Sequence, residues 1–167
     1  STPIKSSAAS DVYKRQAITD SDNKHGKMIM NELSSSWTEA EKQLYLMALE
    51  YVLNLDSDDN PTKREFMKNK ARELGCPLSK LKKVRSSAEL TKLLMPIPSV
   101  RTKRCLLRDM ILLAAADHDL SDKAIGEIYE IGIKIGIKAE KIDDFFLWAA
   151  RGLEWQVDGS RLIDEDI

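Results

Sequence analysis

The chain has 167 residues, 43% of them hydrophobic and 32% charged, with a formal net charge of −1. This balance is that of an ordinary globular chain, and it excludes a wholly disordered or uniformly basic, nucleic-acid-like protein. The longest uncharged apolar run, MILLAAA at 110–116, falls far short of the roughly 20 residues that a membrane-spanning helix needs.

Residues 6–16, SSAASDVYKRQ, have no apolar period and no helix cap. Back-translated, they resemble a sequencing-library adapter, so residues 1–16 are read as an artefact and 1–29 as a disordered leader. A helical domain is expected over 30–167. Its first helix is announced by Thr38-Glu39-Ala40-Glu41, a capping box in which the Thr hydroxyl and the Glu carboxylate each take the other's backbone amide. Tyr45, Leu46, Leu49, Val52 and Leu53 then keep one face apolar. The polar loop NLDSDDNP (54–61) ends it, and Asn60 caps a second helix with Pro61 at its first position. Met67, Ala71 and Leu74 line that helix, and Gly75 closes it as a left-handed cap.

A short helix follows over 87–95, stopped by Pro96-Ile97-Pro98. Ser99 starts a long one whose wide stripe of Leu106, Leu107, Met110, Ile111, Leu113 and Ala114 marks it as central. It breaks at ADHDLSD (116–122), where Ser121 caps the next helix, with Ile125, Ile128, Gly132 and Ile135 on one side. The last helix carries Ile142, Phe145, Phe146, Ala149 and Leu153, with Trp148 and Trp155, seven apart, on a neighbouring stripe. IGIKIGIK (131–138) alternates with period two, which favours a strand locally. No partner strand is evident, so a helix is expected there. The expected fold is therefore all-α.

Sliding the chain by 61 residues puts Asp56 on Asp117, Asp58 on Asp119 and Gly75 on Gly136. That offset predicts two pseudo-repeated helix–acidic loop–helix units about an approximate two-fold axis. Neither loop is an EF-hand: counted from Asp56, Pro61 stands at the glycine position and Met67 at the bidentate glutamate, and counted from Asp117 these are Asp122 and Ile128.

The stretch LLRDMILLAAADHDLSDKAIGEIYEIGIKIGI (106–137) resembles the repeat of the TerB-like family, the helical tellurite-resistance domain. Ala116-Asp117, Leu120-Ser121 and Ile135-Gly136-Ile137 carry the likeness, and Asp58, Glu65 and Leu74-Gly75 are its degenerate first copy. The resemblance implies an acidic surface that binds a divalent cation, with Asp58, Glu65 and Asp117 as inherited ligands and Asp119 and Asp122 as supplements. It also implies a stress-response role within a membrane-associated protein complex. Two departures weaken the cation site: His118 stands where glycine is usual, and Ala124 where a second glutamate is usual.

No nucleophile–base pair, phosphate-binding glycine loop or HExxH is present, so a non-enzymatic interaction module is expected. The alternative is a nucleic-acid or acidic-partner surface on the basic segment 80–108, with Arg101, Lys103, Arg104 and Arg108 at helical spacing. No aromatic residues interleave with them, which counts against nucleic acid. Cys76 and Cys105 fit no CxxC or zinc spacing and are expected in the core of a cytoplasmic protein.

Overall fold

The computed structural model describes residues 34–56 and 59–164. The leader expected over 1–29, with its adapter-like residues 1–16, lies outside the described residues. The chain divides into two compact units, Ser1–Trp37 and Thr38–Ile167. In the first, the described residues are a short turn in which the Trp37 amide donates to the Ser34 carbonyl at 3.3 Å.

Among the described residues the second unit is all-helical. Its six α-helices are α1 (Glu39–Leu53), α2 (Pro61–Leu74), α3 (Ser87–Leu94), α4 (Val100–Ala114), α5 (Asp122–Lys134) and α6 (Ala139–Asp164), with a 3-10 turn at Leu78–Lys80. The starts of α1 to α5 are written in the local sequence. At α1 the Glu41 amide donates to Thr38 Oγ1 at 3.1 Å, and the Thr38 amide donates to Glu41 Oε2 at 2.8 Å. Asn60, Ser86, Ser99 and Ser121 cap α2 to α5, each accepting from the amide three residues on. A cap of this kind is worth about 1 kcal/mol, because it satisfies an amide that has no partner inside the helix.

Two helices also end alike. At α2, Gly75 (φ 62°) donates to the Arg72 carbonyl and Cys76 to that of Ala71; at α5, Gly136 (φ 94°) donates to Ile133 and Ile137 to Gly132. Both are Schellman closures that require a residue at positive φ, which glycine supplies without a steric cost. This resolves the stretch 131–138. Its first half completes α5 and its second half turns through Gly136, so the alternation marks a helix end rather than a strand. Ile131, Ile135 and Ile137 are buried while Ile133 is exposed. No strand occurs among the described residues.

Helix α4 lies at the centre, packed against α1, α2, α5 and α6. Leu106, Leu107, Met110, Ile111 and Leu113 are fully buried, and meet Leu46 and Leu49 of α1, Ile128 and Ile131 of α5 and Ile142 of α6 in one core. Gly132 allows the close approach there: a Cβ on it would sit 2.8 Å from Ile142 Cδ1 and 3.2 Å from Leu107 Cδ1. Among the described residues no helix is long and apolar enough to cross a membrane.

His118 sits at φ 63° in the α4–α5 loop, the one positive-φ residue other than glycine among the described residues. A side chain at left-handed φ costs on the order of 1 kcal/mol. His118→Gly is accordingly expected to stabilise the chain by about 0.5–1 kcal/mol in urea titrations. A destabilised variant would show that the imidazole makes a compensating contact.

Candidate functional site

The α1–α2 and α4–α5 loops meet, and the residues that join them are polar. Asn60, while capping α2 with its Oδ1, donates through Nδ2 to Asp117 Oδ2 at 2.7 Å. Ser121, while capping α5, donates from Oγ to Asp56 Oδ1 at 3.1 Å. Each loop's aspartate is thus held by the residue that caps the helix following the other loop. Between them lies Lys63, whose Nζ is 3.5 Å from Asp56 Oδ2 and 3.6 Å from Asp117 Oδ1. Lys63 is only 6% exposed. It lies four residues before Met67 and eight before Ala71, so its stem shares their inward stripe while its ammonium meets the carboxylates.

The residues expected to bind a cation are placed as follows. Asp117 is in this cluster, and its Oδ1 also accepts from the Asp119 amide at 3.2 Å. The side chains of Asp119 and Asp122 are exposed, and so is Glu65 on α2. Asp58 lies outside the described residues. Among the described residues no three His, Cys, Asp or Glu side chains gather in a way that could hold a metal ion. The cluster carries its own cation instead, the Lys63 ammonium. Ala124, where the resemblance expects glutamate, is buried at 1% exposure, so it offers no carboxylate and little room for one.

Sequence reasoning missed Lys63, Asn60 and Ser121 as partners of the aspartates. The 61-residue offset already paired Asp56 with Asp117, and the i, i+4 spacing of Lys63 and Met67 was the signal that the lysine faces inward.

The basic residues are also divided by the fold. Lys103 donates from Nζ to the Met95 carbonyl at 3.0 Å, closing the C-terminal end of α3, where a cation is favoured. Arg108 donates from Nε to Asp109 Oδ1 at 2.8 Å and lies 3.6 Å from Cys105 Sγ. Arg101 and Arg104 remain exposed. Asp109 itself has 0% exposure and accepts from the Tyr45 hydroxyl, so Tyr45, Asp109 and Arg108 form a polar network inside the apolar core. Burial, and then the charge of Asp109, raise the Tyr45 phenol well above its ordinary value. The same two causes push the Cys105 thiol up to about 11. It therefore stays protonated at neutral pH and is a poor nucleophile.

The remaining unusual feature is α6. Its last buried residue is Ala149, and the helix runs on to Asp164. On one face of it Trp148 is 49% exposed, Trp155 72% and Leu162 69%. An apolar stripe that its own chain leaves uncovered marks an interaction surface when it is contiguous along a helix face. In comparisons with known proteins, no family model, no curated protein and no solved structure matches this chain.

Proposed function

We propose that this chain is a non-enzymatic helical interaction module that docks a protein partner on the exposed tryptophan face of α6. The observation that carries the reading is the exposure of Trp148, Trp155 and Leu162 along the face of α6 that the core does not use. Tryptophan is the residue type most concentrated at the energetic centres of protein interfaces. The resemblance to the TerB-like family agrees with a scaffold of paired helix–loop–helix units, and its stress-response association comes with this reading as an expectation. In place of a divalent cation, the Lys63 ammonium neutralises the acidic loops. They then serve as a clasp between the two halves, and partner binding falls to the surface of α6.

A photo-crosslinking residue placed at Trp155 tests this in cells that express the full chain. A discrete adduct is expected from that position and none from the same residue at exposed Glu73 on α2. No adduct, or the same adducts from both positions, would overturn the reading.

A further inference from the structure

The exposed half of α6 repeats every seven residues: WAARGLE, WQVDGSR, then LID over 148–164. Trp148, Trp155 and Leu162 occupy one position of that repeat, and Gly152 and Gly159 the position four residues further on. Seven residues are nearly two helical turns, so these five lie along one face. Glycine inside a helix costs about 1 kcal/mol relative to alanine. Among the described residues nothing requires it here, because a Cβ on Gly152 or on Gly159 would meet no atom within 4 Å. Glycine on a helix face also allows another backbone to approach closely, and the adjacent tryptophans are knobs that need such a notch.

We propose that the occupant of this face is a second copy of the same chain, its α6 running antiparallel. This rests on the reading of α6 as an interaction face and names its partner. With a two-fold axis between residues 153 and 154, Trp148 faces Gly159 of the second copy and Trp155 faces Gly152. The same register sets Leu162 against the half-buried Phe145. One symmetric arrangement thus fills both notches on each helix, as an isologous interface must. A parallel pair would stack tryptophan on tryptophan and glycine on glycine.

Charge selects the same orientation. Arg151 and Asp158, seven apart, flank the face on one side. In an antiparallel pair the same flanks of the two helices meet, which brings each Arg151 within about 3 Å, along the axis, of the other copy's Asp158. In a parallel pair that flank would meet Gln156 and Ile163, which carry no charge. Trp148 and Trp155 are already partly covered in the monomer, so four tryptophans of roughly 150–250 Å² each leave the newly buried area below that of standard specific interfaces, and dissociation in the micromolar range follows.

Sedimentation of the full chain from 1 to about 500 μM, with helix content followed in parallel, decides the matter. A monomer–dimer equilibrium is expected with a dissociation constant on the order of 10–100 μM. Gly152→Leu with Gly159→Leu should weaken it at least tenfold, although leucine favours the helix, because the notches are filled. Arg151→Glu and Asp158→Arg should each weaken dimerisation severalfold, and the two together should restore it. A monomer at all concentrations overturns the proposal, as does a dimer that ignores the glycine and charge changes. A monomer that still gives a Trp155 adduct of a mass other than twice the chain's would refute self-pairing while leaving the interaction module intact.

Discussion

Replacing Asp109 by alanine is expected to lower the unfolding free energy by about 2–4 kcal/mol. The carboxylate is completely buried and has two partners, the Tyr45 hydroxyl and the Arg108 Nε. Its removal takes away the carboxylate oxygen that receives the phenol's hydrogen bond and the charge that balances the guanidinium. The Arg108 side chain is 27% exposed, so its charge can still reach water, and the cost stays below that of a fully buried orphan ion. Asp109→Asn retains an acceptor for Tyr45 and should lose about half as much. A loss under about 1 kcal/mol for the alanine variant, in urea titration, would show that the network adds nothing beyond its packing.

The same network sets an alkaline limit. Burial first, and Asp109 second, hold the Cys105 thiol at about 11 in the folded chain against an ordinary value of 9. A group whose folded value is raised contributes stability that is complete below the unfolded value and lost as pH climbs through the folded one. Stability should therefore fall between pH 9 and 11, by about 2–3 kcal/mol from this thiol. Cys105→Ala should flatten that fall, and an unchanged slope would assign it elsewhere.

Lys63→Met is the second large effect, an expected loss of about 1–3 kcal/mol. Methionine keeps the stem's packing but removes the ammonium from between Asp56 and Asp117, whose side chains are 31% and 22% exposed. Two carboxylates then face each other with only partial access to water, and their repulsion acts on the junction of the two loops. If Lys63 stands in for a cation, Lys63→Ala should open the place to a real one. Calcium at tenfold its dissociation constant would return about 1.4 kcal/mol to that variant through mass action, while the native chain should not respond. A native melting temperature that rises with calcium would mean that the loops bind metal beside the lysine. An alanine variant indifferent to calcium, magnesium and manganese would mean that the aspartates act only as acceptors for Asn60 and Ser121.

Local chemistry in the sequence determined the helices of this protein. Thr38, Asn60, Ser99 and Ser121 begin helices because a short side-chain oxygen can reach an amide three residues away, a relation that lies within a few ångströms of chain. Gly75 and Gly136 end helices because a left-handed residue is needed there and only glycine adopts it freely. The apolar stripe of α4 marked its central place by the same short-range periodicity. The heptad of Trp148 and Trp155 was equally plain as a pattern. Whether that stripe faces the core or solvent depends on where α4 and α5 stop covering α6, and this only the tertiary structure decided. The site differs for the same reason. Asp117 reads as a candidate cation ligand because a carboxylate's type is visible in the sequence, whereas its partners, Asn60 at 2.7 Å and Lys63 at 3.6 Å, come from a helix more than 50 residues away. The i, i+4 spacing of Lys63 and Met67 places the lysine stem on the inward stripe, but the carboxylates that receive its ammonium come from two acidic loops brought together by the packing of α1, α2, α4 and α5, and no local rule carries that information.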